Sequence, residues 1–180
     1  MATIVGIEAD GGSAIAGDRL LTRGGTVESE DKRHVFDFGE VGAAAVGESG
    51  GIDEFRRRLE TEVQSHETEH GEAMGLTRLA SVASDIAADQ SVEALVVGRE
   101  DDGVASVRGI GSDGSILSDD VMAFGSGAQV AIGVLEGRDD GITLDDAEQL
   151  ARDAVETAAD RDTGTGADVD TYQLTDADGT

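Results

Sequence analysis

Two rhythms of apolar residues, one of period two and one of period 3.6, divide this 180-residue chain into a fixed order of elements. Thr3 to Ile7 alternates β-branched and small residues, Asp10-Gly11-Gly12 signals a tight turn, and Ser13 to Ala16 starts a second strand. The first eighteen residues therefore read as a hairpin, with Asp18 brought back beside the start of the chain. Leu20 to Arg33 is polar and glycine-containing. Val35 to Phe38 and Gly42 to Val46 form a further strand pair turning at Gly39-Glu40. The period then changes: Ile52, Phe55, Leu59 and Val63 lie on one helical stripe, and Leu76, Leu79, Val82 and Ile86 on another after Gly75. Val92 to Val97 is a continuous apolar run suited to a buried strand, followed by short strands over Gly103 to Ile110, Ser115 to Leu117 and one ending near Phe124. Ala128 to Glu136 reads as a helix. Thr143 with Asp146 resembles an N-cap for the next one, whose apolar face is Leu144, Ala147, Leu150, Ala151, Ala154, Val155 and Ala158. Asp168 to Leu174 is the last strand.

Strands and helices in separate runs indicate an α+β fold. Two sheets packed face to face between two helix pairs bury every apolar face named above, so the expectation is a four-layer αββα sandwich. No linker, repeat or low-complexity segment interrupts the plan, and residues 1–180 read as one domain.

Composition narrows the function. Thirty-nine acidic residues against thirteen basic ones give a net charge of −26, and Lys32 is the one lysine; such a surface repels nucleic acid. Hydrophobic residues at 38% with clear periodicity separate this acidity from disorder. It reads instead as a solvated carboxylate coat suited to a salty cytoplasm, where screening falls to roughly 3 Å at 1 M salt. The melting temperature is accordingly expected to rise between low salt and molar KCl; a flat profile would count against salt adaptation. Without cysteine the chain has no disulfide, thiol chemistry or thiolate metal site, and no cofactor is expected. No stretch approaches the ~18 apolar residues of a membrane span, so the reading is a soluble, cytoplasmic protein.

Several short motifs in the same order carry a family resemblance over nearly the whole chain: Ala2-Thr-Ile-Val-Gly-Ile7, Ala16-Gly-Asp-Arg19, Gly42-Ala-Ala-Ala-Val-Gly47, Phe124-Gly-Ser-Gly-Ala128, Gly133-Val-Leu-Glu136, and Asp160-Arg-Asp162 with Thr165. Together they resemble the proteasome β-subunit and HslV-like members of the N-terminal-nucleophile hydrolases, of haloarchaeal character given the charge. In that family the mature chain begins with threonine, whose hydroxyl attacks the peptide carbonyl while its own amine takes the proton. Placing Val5-Gly6-Ile7 on the family's opening strand puts Ala2 at the nucleophile position. The family's aspartate then falls on Asp18, sixteen positions on, and its lysine on His34, thirty-two positions on. The resemblance further implies that Gly47 supplies an oxyanion-hole N–H and that Ser126, Asp162 and Thr165 form a supporting hydroxyl and carboxylate network. It also implies closed rings of six or seven subunits, homo-oligomeric or co-assembled with other proteasome-type subunits, working with an ATPase unfoldase. The alignable part starts directly after Met1, so no propeptide and no N-terminal helix of the α-subunit kind is expected.

An alanine methyl cannot attack a carbonyl, and a histidine at the lysine position is largely neutral near pH 7 unless a carboxylate such as Asp18 raises its pKa. The leading expectation is a proteolytically inactive ring subunit. A second is an active threonine peptidase using Thr3 after processing, although neighbouring strand residues face opposite sides and Thr3 should point away from Asp18. A third is zinc-dependent hydrolysis through His66-Glu67-Thr68-Glu69-His70, which matches H-E-x-x-H. Against zinc, His66 and His70 extend the stripe ending at Val63, as core-edge or interface residues would, and no third ligand is evident. Gly47-Glu48-Ser49-Gly50-Gly51 fits G-x-S-x-G, but a serine hydrolase of that type needs a histidine late in the chain and the last is His70. Asp176-Ala-Asp-Gly179 begins like a calcium loop that the chain is too short to close.

Overall fold

A computed structural model describes residues 1–178; Gly179, which ends the calcium-like segment, lies outside the described residues. β1 (Thr3–Ala9) and β2 (Gly12–Asp18) form the expected antiparallel hairpin, with Ile4 opposite Gly17 and Gly11 at φ 89° in the turn. Leu20 to Arg33 is more ordered than its polarity suggested. Gly24 and Gly25, at φ 58° and 81°, close a second hairpin from β3 (Leu21–Arg23) and β4 (Thr26–Ser29), because adjacent positive φ values give the turn a twist that matches two strands.

β5 (Val35–Asp37) and β6 (Gly42–Val46) lead into α1 (Ser49–His70) and α2 (Leu76–Gln90). β7 (Glu93–Arg99), β8 (Ala105–Ile110), β9 (Ile116–Leu117) and β10 (Val121–Gly125) follow, then α3 (Ala128–Glu136), α4 (Leu144–Arg161) and β11 (Val169–Thr175). The strands sort into a four-stranded sheet, β10-β1-β2-β11, and a five-stranded sheet, β5-β6-β7-β8-β9. Thr143 caps α4 as its sequence indicated, its hydroxyl accepting from the Asp146 N–H.

Three apolar layers hold this stack together, and each uses one face of a periodic element. Ile52, Phe55, Leu59 and Val63 of α1 join Leu79, Ala83 and Ile86 of α2 over Ala43, Ala45, Ala94 and Val96. Ile4 and Ile15 meet Leu95, Val97 and Val107 between the sheets. Val5, Ile7, Ala14 and Ala16 carry the alanine-rich face of α4. This is the αββα sandwich. The expected stripe of α1 stops at Val63: His66 is half-buried and His70 exposed, so the pair stands on the surface beyond the core. The order of layers matters for the site, because it brings the start of β1, the end of β2, the end of β6 and the loop before β11 to one end of the sandwich.

Candidate active site

Ala2 lies immediately before β1 and is 2% exposed. Its carbonyl receives the N–H of Ser126 at 3.3 Å, while Thr3 pairs with Gly125 on the neighbouring strand. The approach is so close that a Cβ on Gly125 would stand 1.9 Å from the Ala2 carbonyl oxygen, and Gly125 has φ 107°. Both facts demand glycine there.

Asp18, fully buried, ties three stretches of backbone together. One carboxylate oxygen accepts from Thr3 N–H at 2.7 Å, and the other from Leu20 N–H at 3.0 Å and Gly166 N–H at 2.7 Å. Its side chain does not meet His34. The His34 ring instead places Nδ1 2.8 Å from the Asp18 main-chain carbonyl and is 1% exposed. Burial pushes the imidazole pKa below its ordinary value and outweighs the opposing effects of that carbonyl and the Asp18 charge; Lys32 and the α-amino group push it down further. His34 is therefore a neutral base at pH 7, where a lysine would be a cation.

Thr3 faces the other way from Ala2. Its buried hydroxyl accepts from Gly127 N–H at 2.9 Å and shares a 2.7 Å hydrogen bond with Thr165. Thr165 donates to Asp162 Oδ2 at 2.6 Å, and Ser126 Oγ lies 2.5 Å from the same oxygen and against the Met1 carbonyl. Burial alone would raise the Asp162 pKa, but donors from Ser126, Thr165 and Gly164 and the nearby α-amino charge hold it below the ordinary carboxylate value. Ser126, Asp162 and Thr165 thus stand in one connected network, with Thr3 as an added member. That network uses both the donor and the acceptor capacity of the Thr3 hydroxyl, which is sealed from solvent.

Beside this frame runs an open cleft of about 580 Å³ lined by Met1, Leu21, Thr22, Gly47, Glu48 and Ser49. Gly47 sits at the end of β6 with φ 152°, a conformation that strongly favours glycine, and a Cβ there would press on Val92 at 3.0 Å. The α-amino group of Met1 donates to Thr22 Oγ1 at 2.6 Å. Thr22, Gly164 and Gly166 also belong to the site, although no motif of the sequence marks them. A Cβ on Gly164 would fall 2.7 Å from Ser126 Oγ and 2.8 Å from the Met1 nitrogen. The available signal was the pair of tripeptides Gly125-Ser126-Gly127 and Gly164-Thr165-Gly166, each a hydroxyl between two glycines.

His66 and His70 lie with ring centroids 4.4 Å apart and planes tilted by 40°, far along α1 from this cleft. Among the described residues no three His, Cys, Asp or Glu side chains gather as a metal site, and no helix is long and apolar enough to cross a membrane. Ser49 lines the cleft from the first turn of α1 without a histidine among its hydrogen-bond partners.

Residues 1–174 match the family described as Proteasome, Proteasome subunit. Among curated proteins the chain is similar to Proteasome subunit beta 2 of Haloterrigena turkmenica, with 35% identity over 91% of this chain and 71% of that protein. Similarity extends to Proteasome subunit beta of Halorhabdus utahensis, at 34% over 97% and 76%. Proteasome subunit beta of Methanopyrus kandleri is 31% identical over 98% of this chain and 88% of its own length.

Proposed function

The chain belongs to the proteasome subunit family, and from that premise we propose that it is a β-type ring subunit without peptide-bond hydrolysis. The observation that carries the proposal is the side chain of Ala2. It stands where β1 begins, next to the Asp18 bond and the cleft, and holds no atom that could attack a carbonyl. The second change supports the first: His34 is neutral where the reaction needs a fixed positive charge beside the nucleophile.

Thr3 offers no substitute in this arrangement. Its hydroxyl is engaged on both sides and buried, and using it would require β1 to slip by one residue against both β2 and β10. The frame nevertheless persists, which suits a protein kept for assembly: a single-domain subunit of a cytoplasmic ring of six or seven, with itself or other proteasome-type subunits, served by an ATPase unfoldase. Removal of a nucleophile leaves only the modest acceleration of binding and an oxyanion hole.

One chromatographic experiment tests both halves. In molar KCl, light scattering on the eluted protein is expected to report a mass several times the 18.4 kDa of one chain, and that peak to leave fluorogenic peptides uncut. A monomer alone would remove the ring, and peptide cleavage that tracks the peak would remove the inactivity.

A further inference from the structure

Helix α1 carries two histidines that neither the core nor the cleft uses. Its buried stripe stops at Val63, so His66, half-buried, and His70, exposed, are not core filling. Both belong to regular helix up to its last residue. Gly71, at φ 69°, closes the end and donates its N–H to the Glu67 carbonyl at 2.9 Å, which holds the turn from His66 to His70 at helical spacing. Among the described residues His34 is the one histidine with a hydrogen-bond partner, and no buried side-chain nitrogen lacks one, so the nitrogens of His66 reach solvent as those of exposed His70 do.

Positions four apart on a helix are surface neighbours, and these two rings have centroids 4.4 Å apart with planes tilted by 40°. That separation matches one metal geometry better than another. With metal–nitrogen bonds of about 2.0 Å, two imidazoles at right-angle positions of a square plane have centroids roughly 4.5 Å apart, and at a tetrahedral angle roughly 5.1 Å apart. The folded pair has the first spacing, which is that of Cu²⁺ or Ni²⁺, and imidazole sites hold Cu²⁺ the more tightly of the two. A zinc hydrolase would need more from the same segment. Glu67 is one residue from His66 and so about 100° round the helix, and among the described residues no third His, Cys, Asp or Glu gathers with the pair.

We propose that His66 and His70 form a two-imidazole chelate for Cu²⁺, square planar and completed by water. The bound ion ties the last turn of α1 to the one before it. Because the helix holds the two rings together and an unfolded chain does not, copper binds the folded protein more tightly and stabilises it by mass action. The charge of −26 concentrates divalent cations near the surface, and the imidazoles select which of them stays. The inference goes beyond the ring-subunit reading and does not depend on it.

The test adds Cu²⁺ to the whole protein in molar KCl, where general attraction to the carboxylates is screened. Electron paramagnetic resonance on the parent is expected to show a tetragonal copper coupled to two imidazole nitrogens, at one equivalent per chain. In calorimetric titration against glycine as competing chelator, His66→Ala and His70→Ala should each weaken binding by at least about 10-fold, since even a partner outside the coordination sphere is worth that much. Glu67→Gln should leave the affinity unchanged, and the melting temperature should rise with copper in the parent but in neither alanine variant. Copper held by one imidazole or none, equal affinity in the parent and the alanine variants, or loss of binding in Glu67→Gln would each overturn the proposal. The nitrogen count needs no variant, and alanine favours a helix at both positions, so misfolding does not protect the idea.

Discussion

Ala2→Thr combined with His34→Lys is expected to produce peptidase activity that neither change produces alone. The new threonine would place a hydroxyl where β1 begins, with its own amine as the base once the initiator methionine is removed. The new lysine would bring a cation to the Asp18 side of that hydroxyl, where His34 brings none. Groups that act as one catalytic unit are strongly non-additive, so each single variant lacks an indispensable part. The double variant should exceed either single one by roughly 10²- to 10⁴-fold in kcat/KM for a fluorogenic peptide. Intact mass must first show threonine as the leading residue. A folded double variant with that start and no gain over the singles would mean that the remaining frame, from Gly47 to Asp162, is no longer set for the reaction.

Asp18→Ala is expected to destabilise the fold by roughly 3–5 kcal/mol, since each buried donor left without a partner costs about 1–3 kcal/mol and three N–H groups lose theirs. Those three belong to Thr3, Leu20 and Gly166, so the entry to β1, the exit from β2 and the loop before β11 all loosen together. Asp18→Asn keeps one carbonyl oxygen and should fall between alanine and the parent. Guanidinium unfolding followed by far-UV circular dichroism in molar KCl reads both. An alanine variant within 1 kcal/mol of the parent, on the scale of an ordinary surface substitution, would show that water replaces the carboxylate at little expense.

Much of this site was legible because it is built from short-range features. The Asp10-Gly11-Gly12 turn fixes the return of β2, and the return fixes Asp18 beside the start of the chain. Period and spacing were enough for the helical stripe of α1 up to Val63 and for the Thr143 cap. What was not legible comes from far along the chain. Gly166 reaches Asp18 across 148 positions and Thr165 reaches Thr3 across 162, and no local pattern encodes which loop will arrive there. The His34 environment was hidden for a related reason. A carboxylate neighbour was the natural expectation for the ring, but the Asp18 side chain is taken up by backbone N–H groups and only its carbonyl is left for the imidazole. The β3 and β4 hairpin carries no apolar alternation because its residues are polar, and two adjacent glycines decide it instead of hydrophobicity.

The three backbone bonds of Asp18 also bear on how sequences of this kind should be sorted into working and retired enzymes. A residue that folding requires survives the loss of chemistry, so an aspartate at this place is a marker of architecture and says nothing about turnover. The side chains at positions 2 and 34 gather no comparable set of backbone N–H groups, and those two positions are where a survey of relatives should look for activity.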